Sequence, residues 1–237
     1  SMPIGAYSEK HIMPENKLVP VPDGVSDEVA SCVTLKGITA EYLLHRAYPL
    51  KKGDKVLYHA AAGALGQILC PWANSIGAEI IGTVGSKEKE EIAKKNGCHH
   101  VINYTDKDFV EEVEKIVGKN GIDVVYDGVG LKTFEGSIEV LKIRGMMVAF
   151  GNASGYVDTI DVKKHINAKG LFFTRPSIAH YTIEREELLE SAKKVFDAVL
   201  SGKFKIEISK KYSLDEVKQA HEDLEGRLLT GPAVIKP

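Results

Sequence analysis

Apolar residues along the chain fall into two alternating rhythms. Short continuous runs at Lys55-Val56-Leu57-Tyr58, Glu79-Ile80-Ile81-Gly82-Thr83-Val84, His100-Val101-Ile102, Ile122-Asp123-Val124-Val125-Tyr126, Gly145-Met146-Met147-Val148-Ala149-Phe150 and Leu171-Phe172-Phe173-Thr174 predict strands buried on both faces. Between them, apolar positions recur every three or four residues. The first such stretch sets Leu65, Ile68, Leu69, Trp72, Ala73 and Ile76 on one helix face, and helices over 88–96 and 106–117 follow. Strand and helix in alternation predict an α/β fold with a doubly wound parallel Rossmann sheet. Past Pro176 the order changes. Thr182 is expected to cap a helix with an acidic first turn (Glu184, Glu186, Glu187) that runs on to Gly202. A strand over 205–211 comes next, then a capping box, Ser213-Leu214-Asp215-Glu216, opening a helix that reaches Gly226-Arg227, and a last strand at Ala233-Val234-Ile235.

Composition narrows the partners. The 237 residues are 43% hydrophobic and 27% charged with a net charge of -2, enough for a sizeable core and without the basic stripe of a nucleic-acid binder. No apolar run is long enough to cross a bilayer, and the polar opening Ser1-Met2-Pro3 does not read as a signal peptide. Cys32, Cys70 and Cys98 are odd in number and widely spaced, which points to a reducing, cytoplasmic setting.

The candidate chemistry lies at the end of the first strand, in Ala61-x-Gly63-x-x-Gly66. A turn of this kind opening a helix is a dinucleotide fingerprint with alanine at its first glycine, because unpaired helix-start N–H groups attract a pyrophosphate that bare backbone lets approach. Ala62, Gly63, Ala64 and Leu65 would line that approach, although such a turn also serves packing alone. The second strand ends in Gly85-Ser86 with Lys89 close behind, where an NAD site places an acid for the ribose hydroxyl. Hydroxyl and ammonium suit a 2′-phosphate instead, so NADP is the expected cofactor; Lys87 and Lys89 equally suit a solvated helix face. Zinc ligands are not recognisable. Cys32 reads as a small buried hydrophobe just before a helix carrying Thr39, and His11, His99, His100, His165, His180 and His221 read as surface or loop residues without ligand spacing.

Taken in order, Pro20-Val21-Pro22-Asp23-Gly24-Val25, Leu35-Lys36-Gly37-Ile38-Thr39-Ala40, His59-Ala60-Ala61-Ala62-Gly63, Val101-Ile102-Asn103-Tyr104, Val125-Tyr126-Asp127-Gly128-Val129-Gly130, Phe150-Gly151-Asn152-Ala153-Ser154-Gly155 and Thr174-Arg175-Pro176-Ser177 resemble the zinc-independent quinone oxidoreductases of the medium-chain dehydrogenase/reductase superfamily, the zeta-crystallin type. The resemblance implies NADPH-dependent hydride transfer to a quinone or activated enone. It implies that Lys89, Tyr104 and Arg227 surround the 2′-phosphate, and that Thr39, Gly130, Phe150, Gly151 and Phe173 line the nicotinamide half. Ala64 stands where the family often has a further glycine. The resemblance further implies that residues 1–37 end a GroES-like catalytic domain, that 38–176 form the nucleotide-binding domain, and that 177–237 return to the catalytic domain. Most of that catalytic barrel, with the quinone pocket, would precede this sequence, so no catalytic residue is named and slow turnover is expected. Pairing of the Phe172–Thr174 edge strand with its symmetry mate predicts a homodimer. Two other readings stay open: an enoyl reductase or zinc-free alcohol dehydrogenase, and a nucleotide-sensing or RNA-binding module.

Overall fold

Six apolar runs pair side by side, all parallel, in a computed structural model that describes residues 5–226, 228–229 and 231–237. In chain order the elements are α1 (Asp27–Tyr42), β1 (Lys55–His59), α2 (Gly66–Ile76), β2 (Glu79–Val84), α3 (Lys87–Lys95), β3 (His100–Asn103), α4 (Phe109–Val117), β4 (Ile122–Asp127), α5 (Phe134–Val140), β5 (Leu141–Ala149), β6 (Phe172–Thr174), α6 (Arg185–Leu200), β7 (Lys210–Ser213), α7 (Val217–Glu225) and β8 (Ala233–Lys236). The sheet order β3-β2-β1-β4-β5-β6 is that of a Rossmann fold, with the reversal between β1 and β4. Ligands of such sheets bind outside the carboxyl ends of the strands at that reversal.

The register explains why the strands lack alternation. Ile81, Leu57, Val125, Met147 and Phe173 stand side by side across five strands as one layer. Val113 of α4 and Phe134, Ile138 and Val140 of α5 cover that layer. On the opposite face Tyr58, Gly82, Tyr126, Val148 and Thr174 form the neighbouring row. With helices on both faces, neither row carries a charged residue and both are largely apolar.

Residues Tyr42–Ser177 form one compact unit, and Ser1–Glu41 with Ile178–Pro237 form the other. In the latter, β7 and β8 pair in parallel from Lys210↔Ala233 to Ser213↔Lys236. Buried Asp223 of α7 accepts hydrogen bonds from the Lys210 ammonium at 2.7 Å, the Tyr212 hydroxyl at 2.5 Å and the Gln219 amide at 2.8 Å. Lys210, Tyr212 and Gln219 together hold its carboxyl down at about 2. Among the described residues no helix is long and apolar enough to cross a membrane.

Several expectations are corrected. Cys32 lies inside α1 rather than before it, because Val29, Val33, Thr34, Gly37 and Ile38 weaken the local helical signal while burial of Ala30, Val33 and Ile38 stabilises it. Thr182 does not cap α6; its hydroxyl donates to the Ile178 carbonyl, and Glu184 forms a capping box with Glu187. The strand expected over 205–211 is confined to Lys210–Ser213, matching its four-residue partner β8. The helix expected from Asp106 begins at Phe109, where the Asp108 carboxylate accepts from the Val110 and Glu111 N–H groups. His165 is buried, not superficial; its Nδ1 accepts from the Asp161 N–H and its Nε2 lies 3.1 Å from Glu135. β5 starts at Leu141, four residues early, with a register shift between Ile122 and Val124 that the Lys142–Asp123 ion pair bridges.

Candidate nucleotide site at the carboxyl edge of the sheet

The turn between β1 and α2 is shaped by backbone. Ala60 adopts a left-handed conformation (φ 62°), and the Gly63 N–H closes a tight turn onto the Ala60 carbonyl at 2.8 Å. Gly66 packs against β1's exit so closely that a Cβ would lie 2.2 Å from the Ala61 carbonyl oxygen. That backbone contact brings α2 down onto the strand, the part the third glycine plays in a dinucleotide fingerprint. Leu65 precedes the helix and offers no side-chain cap. The helix start therefore keeps donors and positive dipole for an external anion.

The next strand end is narrower. Tyr104, just past β3, donates its backbone N–H to the Val84 carbonyl at 3.1 Å. Its phenol lies over Gly85, where a Cβ would come within 2.5 Å of the hydroxyl oxygen. An acidic side chain at position 85 would have to displace that ring. Ser86 precedes α3 in an extended conformation, and Lys89 is exposed on the first turn. Glu88 engages its own N–H and the Ser86 hydroxyl, contacts that lower its pKa together with Lys87 and Lys89.

At β4's end the construction is different. The buried Asp127 carboxylate accepts from the Val129 N–H at 2.7 Å, the Gly130 N–H at 2.9 Å and the Thr133 hydroxyl at 2.7 Å. Behind it, the buried His59 imidazole joins the Thr83 and Ser137 hydroxyls, each at 2.9 Å. Burial pushes the His59 pKa down against the opposing pull of Asp127, which favours the neutral ring. Past β5, the Phe150 ring stacks on Tyr58, nearly parallel with centroids 6.4 Å apart. Gly151 abuts the Gly128 backbone.

Of the residues singled out in the sequence, Ala62, Gly63, Ala64, Leu65, Gly85, Ser86, Tyr104, Gly130, Phe150 and Gly151 follow strand ends on this one edge, and Lys89 lies just beyond in α3. Phe173 sits lower, level with Met147, its ring edge-to-face with Phe134. Thr39 belongs to the other unit, where its hydroxyl donates to the Leu35 carbonyl in its own helix. Arg227 lies outside the described residues. The sequence pattern assigns no role of their own to His59, Thr83 and Asp127, which it places only within strands and turns, and does not single out Thr133 or Ser137. A signal was present, since Thr83 next to the end of β2 and Asp127 at the end of β4 are polar residues in apolar strands.

Among the described residues no three His, Cys, Asp or Glu side chains converge as metal ligands. Cys70, in α2, is hydrogen-bonded to Cys98 and buried, which raises its pKa far above that of a reactive thiol.

Residues 64–200 match the family model described as zinc-binding dehydrogenase. The chain is 45% identical to the 2-haloacrylate reductase of a Burkholderia species and 42% identical to quinone oxidoreductase 1 of Escherichia coli, each alignment spanning 99% of this chain and 72% of the relative. The crystal structure of Escherichia coli quinone oxidoreductase complexed with NADPH superimposes with a TM-score of 0.93 at 41% identity, over 100% of this chain and 73% of that one. A parallel six-stranded sheet in this order, a glycine-closed turn at its reversal and these alignments lead to one conclusion: the chain belongs to the zinc-binding dehydrogenase family, with the quinone oxidoreductases of the medium-chain dehydrogenase/reductase superfamily.

Proposed function

We propose that the chain binds NADPH along the carboxyl edge of the six-stranded sheet and serves its oxidation by a quinone or another electrophilic, conjugated acceptor. The observation that carries this reading is the pair of turns at β1 and β2: an uncapped helix start packed through Gly66, and a Gly85-Ser86 exit that carries no acid and lies under the Tyr104 phenol. Bound there, NADPH supplies the hydride, and the protein supplies orientation and exclusion of water.

The chain's own residues divide the work. Backbone N–H groups at Ala62, Ala64 and Leu65 hold the pyrophosphate, and Gly63, whose own N–H closes the turn, lines its approach without a side chain. The Ser86 hydroxyl, released from Glu88, the Lys89 ammonium and the Tyr104 phenol hold the 2′-phosphate, and Arg227 is assigned to the same end. Gly130, Phe150 and Gly151 bound the nicotinamide half, with Thr39 and Phe173 assigned there on the family's pattern. The acceptor class rests on the relatives, a 2-haloacrylate reductase and a quinone oxidoreductase, whose named substrates are both conjugated electrophiles. The reaction is taken as zinc-independent on the pattern of the quinone oxidoreductases that the sequence resembles. Residues 38–176 are assigned to nucleotide binding, and 1–37 with 177–237 to a GroES-like catalytic portion, a division supported by the two compact units. β6 forms the sheet's edge with Phe172 largely exposed, which supports a homodimer through that strand; light scattering on the chain at several concentrations tests it, and a monomer throughout refutes it. The setting is taken as cytoplasmic.

The experiment is calorimetric titration with NADPH and NADH beside an assay of NADPH oxidation by a simple quinone and by a 2-haloacrylate. NADPH is expected to bind more tightly, and Lys89→Ala to weaken it by about 10- to 100-fold while sparing NADH, since one charge-assisted bond is lost. Equal losses for both nucleotides remove Lys89 from the 2′-phosphate. Turnover is expected to be slow, and an unconjugated ketone reduced faster than either acceptor overturns the acceptor class.

A further inference from the structure

His59, Thr83 and Asp127 lie at the carboxyl ends of β1, β2 and β4, the three adjacent strands at the centre of the sheet. His59 and Thr83 are register partners, and a turn that lines the candidate nucleotide site begins within two residues of each of the three. Ala60 follows His59, Gly85 comes two after Thr83, and Gly128 follows Asp127. One imidazole lies between these ends. Its Nδ1 is 2.9 Å from the Thr83 hydroxyl, its Nε2 is 2.9 Å from the Ser137 hydroxyl, and Ser137 reaches the Asp127 carboxylate at 3.5 Å. All four side chains are buried, and the His59 ring is packed edge-on against Phe109 with centroids 5.1 Å apart.

Donor and acceptor chemistry gives the chain one direction. An ionised carboxylate only accepts, so the Ser137 hydroxyl spends its single proton on Asp127. Ser137 Oγ then accepts from His59, which places the imidazole proton on Nε2. Nδ1 is left as an acceptor for the Thr83 hydroxyl. The neutral ring favoured by burial meets this requirement.

We infer that His59 is a positioning residue for the nucleotide site: held as its Nε2–H tautomer between Thr83 and Ser137, it locks the three strand-end turns into one spacing through Asp127, which fastens the Val129 and Gly130 N–H groups. His59 touches no reacting atom in this account. Its contribution is that the cradle after β1, the exit after β2 and the wall after β4 are set before ligand arrives. The inference rests on the proposed NADPH reading for its effect on binding, but not for its effect on the turns.

The test uses the intact chain and Ser137→Ala, which cuts the link and leaves the imidazole in place, beside His59→Phe, which keeps a packed ring, and His59→Gln, which restores a polar side chain. Imidazole nitrogen shifts in NMR are expected to report Nε2–H in the wild type, and an Nδ1–H ring overturns the chain as drawn. Amide exchange at Val129 and Gly130 is expected to quicken about tenfold in Ser137→Ala relative to Val125 in the core, an amount matching one lost hydrogen bond. Unchanged relative exchange overturns the proposal whatever the nucleotide does. NADPH affinity, measured well below each variant's melting temperature, is expected to fall about tenfold in Ser137→Ala and further in His59→Phe, with partial recovery in His59→Gln. A lowered melting temperature with wild-type affinity and exchange reduces His59 to a core residue. A wild type that binds no NADPH refutes the proposed function, and the tautomer and exchange measurements still decide this inference.

Discussion

The turn after β1 takes its own shape mainly from backbone, through Ala60 in a left-handed conformation, one tight N–H···O=C closure and a glycine pressed onto a carbonyl. The turn after β4, at the same edge of the same sheet, is fastened to a buried carboxylate. The difference has a chemical consequence. In the β4 turn the Val129 and Gly130 N–H groups are already spent on Asp127, so this turn makes a wall. In the β1 turn no side chain caps the helix start, so its donors other than the Gly63 N–H, which closes the turn, remain for a ligand anion. Two glycine-rich strand exits that look alike as sequence thus do different work.

The comparison is broken most directly at Gly66. Gly66→Ala forces a methyl group into backbone, the Ala61 carbonyl, which has no rotamer by which to yield. A loss of about 3 kcal/mol or more in denaturant unfolding is expected, with loss of nucleotide binding in whatever remains folded. Wild-type stability would mean that backbone packing does not hold the β1 turn. Asp127→Asn attacks the other turn and is expected to cost about 1.5 kcal/mol, because the amide oxygen still accepts from Val129 and Gly130 but without charge assistance. Here the sharper readout is proteolysis or amide exchange in 128–133, which should respond well before the sheet unfolds. A stability loss without a local change in this turn would remove Asp127 as its fastener.

The two turns also differ in how far sequence reveals them. Gly63 and Gly66, between an apolar strand and an amphipathic helix, announce a backbone-built cradle, because glycine spacing is itself the device. Asp127 was visible only as part of a glycine-rich turn, since its function depends on N–H groups and hydroxyls that converge in three dimensions. His59 was read with the turn, yet it closes β1, and its partners lie 24 and 78 residues away. The sheet was legible because burial on both faces writes continuous apolar runs. Less was legible where a local element is stabilised from outside, as in α1 with its β-branched residues, or at β7, whose length is set by β8. The capping of α6 by Glu184 was hidden because glutamate is an unusual N-cap and Thr182 the more familiar one.

A smaller effect tests the β2 exit, where backbone and side chain share the work. Gly85→Ala is expected to cost about 1 kcal/mol, since its methyl group meets a phenol that is half exposed and able to swing away. Removing the ring should remove the conflict. In a double-mutant cycle Gly85→Ala and Tyr104→Ala should couple favourably, the pair being more stable than the sum of the single losses predicts. Additivity would mean that Tyr104 does not define the space at Gly85.

The smallest effect comes from a carboxylate that holds structure with no turn of the candidate site attached. Asp223 accepts from Lys210, Tyr212 and Gln219, which hold its carboxyl at about 2, whereas the ordinary value in an unfolded chain is about 3.9. A depressed folded-state value means that the ionised form is favoured by folding. The stabilisation is therefore complete above about pH 4 and is lost as pH falls through about 2. Asp223→Asn should lower the unfolding midpoint modestly at neutral pH, and the gap to wild type should close between about pH 4 and 2. NADPH affinity should be unaffected, in contrast to Asp127→Asn. A gap that stays constant down to pH 2 would show that hydrogen bonding to the side chain, rather than its charge, ties α7 to β7. A loss of NADPH affinity in Asp223→Asn would erase the distinction between a carboxylate that shapes a ligand wall and one that only joins a helix to a strand.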